Sequence, residues 1–282
     1  MTDTERLLRS RSFVELGARQ RARAVLDPGS FRELLGPFDR LMSPWLPRQG
    51  IVPQADDGVV IAKGLLNGRK AVVAAIEGGF QGGSMGEVGG AKIAGALELA
   101  IEDNRNGVPT CAVLLLETGG VRLQEANLGL AAIAEIQAAI VELRAWQPVV
   151  GLVAGSVGCF GGMSIAAGLC SHLLVTREAR LGLNGPQVIE QEAGIGEYDA
   201  KDRPFIWSLT GGEQRHASGL VDAYVADDIE ALRERLLQLL DEPSRDRASQ
   251  YAWFLERLAL LGDGRPQLDA AAVRDLYQGE AK

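Results

Sequence analysis

The sequence predicts an α/β domain with helical ends, on three observations. Apolar runs of strand length alternate with helical patterns through the middle of the chain. Two of these runs, CAVLLL (111–116) and VVGLVA (149–154), end in Gly-rich turns that lead into helices. No Pro- or Ser-rich linker divides the chain. The 282 residues, 46% of them hydrophobic, can bury one large core. The expectation is one domain over residues 1–282, with an N-terminal helical segment over 1–57 and C-terminal helices over 227–282.

Taken in order, residues 4–26 read as helix, with Leu7, Leu8, Val14, Leu16, Val25 and Leu26 as the apolar positions. Six arginines (Arg6, Arg9, Arg11, Arg19, Arg21, Arg23) make this end locally basic. A solvated helix face and a landing site for an acidic or phosphate-bearing partner both fit. Ser30 is placed to cap a short helix from Phe31 to Leu35. Four prolines (Pro37, Pro44, Pro47, Pro53) mark an irregular connection to about residue 57. Strands at 59–62 and 71–76 flank Asn67-Gly68, a hairpin signal. A helix over 91–104 ends at Gly107, with Pro109 preventing its return. The strand at 111–116 and a helix to about Trp146 follow. Next come a strand at 149–154 and a helix of small residues over 164–170. Short strands at 172–175 and 180–183 lead to Asn184-Gly185-Pro186. From Lys201 the pattern is helical, broken at Gly211-Gly212 and Gly219. Helices at 227–241, 246–261 and 267–278 finish the chain.

Composition narrows the function. A formal charge of -8 without a dense Lys/Arg block argues against a nucleic-acid partner. The start, MTDTERLLRSRSF, lacks the apolar core of a signal peptide, and no run reaches the length of a membrane span. The three cysteines, Cys111, Cys159 and Cys170, fit no zinc spacing and read as reduced thiols, so a cytoplasmic location is expected. With only two histidines, no Ser-His-Asp set is evident. A dinucleotide reading of the glycines lacks its acidic ribose partner.

The Gly-rich turns carry the chemistry. A strand that ends in Gly-Gly and enters a helix leaves backbone N–H groups free at the helix start, where the helix dipole favours a negative oxygen. One such turn could be a plain connection. Here Gly119-Gly120 and Gly161-Gly162 end two strands separated by one helical crossover. A right-handed crossover puts both strand ends on one side of the sheet. Two sets of N–H groups can then converge on one oxygen, which is how an oxyanion hole is built.

The runs GGSMGEVGGAKIAGALELAIEDN (82–104), LLLETGGVRLQEA (114–126), GSVGCFGGMSIAAG (155–168) and NGPQVIEQ (184–191) resemble the carboxyltransferase β-subunits of the crotonase superfamily. LDPGSFREL (26–34) and HASGLVD (216–222) match in order, so the resemblance covers about residues 18–225. Within that superfamily the chain is similar to the β subunits of biotin-independent malonate decarboxylases. It carries one crotonase-type half, no Cys precedes Cys111, and the central motif reads GGVRLQEANLG with Val121. The resemblance implies a crotonase-like (ClpP/crotonase) fold of ββα-type turns. It also implies a carboxy-lyase of malonate catabolism that converts a malonyl thioester on an acyl carrier protein to the acetyl thioester and CO2. The implied partners are a homologous γ subunit, the acyl carrier protein and an α subunit that acts as carrier transferase. The phosphopantetheine-type arm, a phosphoribosyl-dephospho-CoA group, would belong to the carrier, so no cofactor is expected on this chain and no metal is required. The alternative is a carboxyltransferase subunit of a biotin-dependent acyl-CoA carboxylase or decarboxylase.

Loss of CO2 moves electrons into the thioester carbonyl, so donors aimed at that oxygen act in the transition state. Gly120 and Val121 are the candidates for one donor, and Gly161 and Gly162 for the other. Gly82, Gly83, Ser84 and Gly86 are candidates for lining the path of the arm and Gly119 for binding substrate, with turn roles as the plain reading of Ser84 and Ser156. Phe160 and Met163 could wall off the carboxylate or simply pack in the core. Glu125, Tyr198, His216 or water could return the proton. Capping or pairing is the plainer reading of Glu125, and a structural hydrogen bond that of His216.

Overall fold

The computed structural model describes residues 10–52, 58–244, 246–261 and 269–277. Among these residues seven strands form one sheet in chain order: β1 (Arg32–Leu35), β2 (Val59–Leu66), β3 (Arg69–Ile76), β4 (Thr110–Leu115), β5 (Val149–Val153), β6 (His172–Thr176) and β7 (Ala223–Val225). β1 to β3 are antiparallel neighbours, and β3 to β7 run parallel. The β2–β3 hairpin turns at Asn67 and Gly68, both at positive φ (48° and 80°), as a tight hairpin of this hand requires. Both turn amides donate to the Asp27 carboxylate at 2.9 Å.

The central strands are buried on both faces, which is why their sequences read as unbroken apolar runs. Ala112 and Leu114 of β4 face a core shared with the helices α2 (Glu87–Arg105), α3 (Ala126–Leu143) and α4 (Gly162–Leu169). Cys111, Val113 and Leu115 face the opposite core, closed by α1 (Ala18–Val25) and α8 (Ile229–Leu239). Between these lie α5 (Pro186–Ala193), α6 (Arg203–Thr210) and α7 (Gly212–Ala217), and α9 (Arg247–Ala259) and α10 (Ala270–Leu276) finish the described chain.

The N-terminal part departs from the predicted helices. Residues 1–9 and 53–57 lie outside the described residues, so that share of the reading has no structural counterpart here. Helix begins only at Ala18, because Asp227 captures the chain before it. The Asp227 carboxylate accepts the Ser12 hydroxyl and the Phe13 and Val14 amides, holding 12–14 as a turn. The helix expected over 31–35 is the edge strand β1. Ser30, expected to cap that helix, instead accepts the Leu65 amide at 3.0 Å and ties the segment to β2. The predicted helical segment 1–57 therefore includes a strand of the sheet. Farther on, residues 180–183 form isolated bridges at Arg180 and Leu181, not a strand. The helix α5 and the three-residue strand β7 were not expected, and β7 is too short to show a period.

Candidate active site at two glycine turns

β4 and β5 are adjacent and parallel, with Ala112 to Leu115 paired to Val149 to Leu152, so both end on one edge of the sheet. Beyond that edge the loops form a second tier of parallel bridges: Met85 with Val121, Thr118 with Cys159, and Cys159 with Leu181. The Thr118 amide donates to Gly158 O (2.7 Å) and the Phe160 amide to Thr118 O (3.0 Å), so the two turns are bonded to each other.

At the point of contact both chains are glycine. Gly120 has φ 112° and Gly161 φ 60°, conformations that residues with a Cβ rarely adopt. A Cβ on Gly161 would stand 3.2 Å from Gly120 Cα and 3.7 Å from Val121 N, so the turns meet backbone to backbone.

The hydrogen bonds separate the four donor candidates. The Gly120 amide donates to Thr118 Oγ1 (3.1 Å), and the Gly161 amide to Leu183 O (2.7 Å). The amides of Val121 and Gly162 have no hydrogen-bond acceptor among the described residues. The bridge explains the first. Met85 bonds to Gly120 O and to the Arg122 amide, so the N–H of the intervening Val121 points to the other side. Gly162 is the first residue of α4, where an amide has no carbonyl a turn earlier to bond. Both residues are half-exposed.

Buried charges brace the turns. Glu117 is 4% exposed; Oε2 takes Arg21 Nη1 at 2.7 Å and Oε1 takes the Val157 amide at 2.7 Å. One carboxylate thus joins α1, the first turn and the second turn. Arg122 and Glu125, both buried, pair at 2.8 Å. Glu125 Oε2 also accepts the Glu87 amide (2.7 Å) at the start of α2. Both its oxygens are engaged, which is the capping and pairing reading. Arg180 braces the second turn from outside. It donates to Ser156 O (2.6 Å) and Val157 O (3.2 Å), and its guanidinium lies 5.5 Å from the centre of the Phe160 ring.

The remaining candidates distribute as follows. Gly82 is exposed, and its carbonyl accepts the Gly119 amide at 2.8 Å, joining the 81–84 turn to the first glycine turn. Gly83 is buried against Glu117 O. Ser84 bonds Arg122 through both its hydroxyl and its carbonyl. Phe160 is buried under Arg180, and Met163 is wholly enclosed in the helix-side core, where packing accounts for it. Tyr198 is buried, and His216 is exposed on α7, stacked 6.2 Å from Tyr224. Arg21 and Arg180 were not singled out as bracing residues. Arg21 was visible only as one of six N-terminal arginines, and Arg180 only as one charge before a Gly.

Of the arginines read as a basic face, Arg11, Arg19 and Arg21 pair with Glu230, Glu33 and Glu117, and Arg23 stacks on Phe31. Arg6 and Arg9 lie outside the described residues. Among the described residues no cluster of His, Cys, Asp and Glu is arranged to hold a metal. No helix there is long and apolar enough to cross a membrane.

Residues 13–251 match the family model "Carboxyl transferase domain". The malonyl-S-ACP:biotin-protein carboxyltransferase of Malonomonas rubra is 39% identical over 249 residues, covering 85% of this chain and 78% of that protein. A crystal structure of a Pseudomonas malonate decarboxylase hetero-tetramer in complex with malonate contains a similar chain: TM-score 0.90 at 73% identity, over 98% of this chain and 100% of that one. A Pseudomonas malonate decarboxylase MdcD-MdcE hetero-dimer matches with TM-score 0.75 at 66% identity, over 88% and 97%. With paired glycine turns at the end of a parallel sheet and these matches over most of its length, the chain belongs to the carboxyl transferase domain family and has its crotonase-like fold.

Proposed function

We propose that this chain is the β-type subunit of a malonate decarboxylase. It removes CO2 from a malonyl thioester on an acyl carrier protein and leaves the acetyl thioester. The observation that carries this is the pair of unbonded amides, Val121 N–H and Gly162 N–H, on two turns in direct contact. The C–C bond to the carboxylate breaks, its electrons pass into the thioester carbonyl, CO2 departs, and a proton returns to the carbanion carbon. The two amides receive the oxygen on which the charge grows. Gly120 and Gly161 set the geometry that presents them. The prosthetic arm on the carrier, read as a phosphoribosyl-dephospho-CoA group, holds the malonyl unit as a thioester. Gly82 and Gly119, joined by the Gly119 amide to Gly82 O hydrogen bond, and Ser84 beside them are assigned to the path of that arm.

A hetero-oligomer with a homologous γ subunit, the carrier protein and a carrier-transferase α subunit completes the reading. Exposed apolar side chains lie on the segments that carry the donors or bond to them: Leu123 after the first turn, Leu130 on α3, Ile165 on α4 and Leu183, whose carbonyl accepts the Gly161 amide. Exposed apolar surface of this kind supports a subunit interface over the site. The Malonomonas relative favours a second reading, transfer of the carboxyl group to a biotin protein.

Gly162→Pro tests the donor. Proline is accepted at the first residue of a helix; it removes the N–H and closes a ring onto the nitrogen. Gly162→Ala adds a similar Cβ, 3.0 Å from Ile133 Cγ2, and keeps the N–H. With the assembled subunits and malonyl-carrier, CO2 release should fall about 10²–10³-fold in the proline variant relative to the alanine variant. Equal rates would remove Gly162 from the mechanism. Turnover that requires a biotinylated acceptor would favour the second reading.

A further inference from the structure

On the helix side of the sheet, past the end of the apolar core, three cations come together on neighbouring strands. Arg32 of β1 stands opposite Lys63 of β2, and Lys70 of β3 stands opposite Leu65, two residues farther along β2. Period-two alternation puts all three on the face that carries Leu34, Ile61 and Val72, the face covered by α2. They line one cavity of about 400 Å³, together with Asp103 from the last turn of α2 and Thr110 at the start of β4. Among the described residues Asp103 is the only carboxylate in its wall. It takes Lys63 Nζ at 2.8 Å and the Thr110 hydroxyl at 3.1 Å. The Ser30 hydroxyl, also in the wall, donates to Asp27 O at 2.8 Å. Arg32 and Lys70 are exposed and form no ion pair among the described residues. Acids close by in the sequence are engaged elsewhere: Glu33 holds Arg19 at 2.6 Å, Asp27 takes Arg233 and the two hairpin amides, and Glu102 accepts Asn106 Nδ2 at 2.8 Å.

Like charges directly opposite on paired strands disfavour the sheet, and one carboxylate answers only one of these three cations. A chain of formal charge -8 thus keeps two unanswered positive charges on one cavity. The hydroxyls in the wall are already committed, so the donors left for a guest are the Arg32 guanidinium and the Lys70 ammonium. We propose that Arg32, Lys63 and Lys70 form a binding site for a phosphate-bearing small molecule. A phosphate group near neutral pH carries close to two negative charges on several acceptor oxygens, which matches the two unanswered cations, whereas a monocarboxylate brings only one charge. Arg32 supplies a planar fork of donors and Lys70 a mobile point charge. Leu34 and Leu65 in the same wall give an organic body an apolar seat. Thr110 opens β4 and Gly120 follows its far end, so the site lies about 20 Å along the strand from the glycine turns. A guest there is not the reacting group.

Two sources supply this chemistry: free phosphate and an organic phosphomonoester. Calorimetric titration of the full chain, assembled with its partner subunit, with inorganic phosphate and separately with phenyl phosphate at constant ionic strength distinguishes them. Acetate serves as the monocarboxylate control. Saturable binding of at least one phosphate is expected, about tenfold or more tighter than acetate. Tighter binding of phenyl phosphate assigns the phosphomonoester, and equal or weaker binding assigns free phosphate. Arg32→Gln and Lys70→Gln change exposed side chains, and each should weaken phosphate binding about tenfold. Absence of saturable phosphate binding, acetate bound as tightly, or unchanged affinity in either glutamine variant would each overturn the proposal. Binding is read without turnover, so the outcome is independent of the reaction proposed above.

Discussion

The turn after β4 is braced by paired buried charges, whereas the turn after β5 is braced on its outer side by an arginine that pairs with no acid among the described residues. In the first, Glu117 holds Arg21 at 2.7 Å and Arg122 holds Glu125 at 2.8 Å. Those four charges are desolvated, and each pair neutralises itself. In the second, Arg180 rests on Phe160 and Trp207 and bonds only backbone carbonyls of the turn. Saturated pairs make the first turn a rigid support with no capacity for a further ion. The second support rests on ring contacts and backbone carbonyls instead of a charge pair. Glu117 couples the two, since its other oxygen takes the Val157 amide.

Removing Glu117 should break the comparison most severely. Glu117→Ala strands Arg21 in the interior and frees the Val157 amide, so a loss of about 3–5 kcal/mol is expected. Urea unfolding of the variant measures it. Arg180→Leu should cost less, about 1–2 kcal/mol, because aromatic contacts and hydrogen bonds to exposed carbonyls are lost while no buried charge is orphaned. Its catalytic effect should appear in kcat more than in KM, since it positions the turn that carries Gly162. A stability loss equal to that of Glu117→Ala would show that the two supports are not different in kind. Arg11→Ala marks the lower end. The Arg11–Glu230 pair is 2.5 Å long but exposed on both sides, and a change of about 0.5 kcal/mol or less is expected from the same unfolding measurement.

Much of the sheet was legible because its strands are buried on both sides. CAVLLL and VVGLVA have no polar face to mistake for a helix, and Asn67-Gly68 fixed the hairpin register. Both glycine pairs were legible as turns, and their order along the chain implied a common edge. Short elements were not. β1 reads as helix over Phe31–Leu35, and only pairing with β2, with Ser30 bonded to Leu65, makes it a strand. The start of the first helix was displaced by Asp227, more than 200 residues away in the chain.

The chain's order of residues determined the alternation of strands and helices, the hairpin, and the two glycine turns. These follow from periodicity and from the absence of a Cβ, which are local properties. Tertiary structure decided which amide of each glycine pair is free. Gly120 is answered by Thr118 and Gly161 by Leu183, and those partners are set by how three loops stack beyond the sheet. It also decided that Glu117, Arg122 and Glu125 are supports and that Arg180 rests on aromatic rings. An amide's direction and a charge's partner depend on distant chain segments meeting, and no local pattern records that meeting.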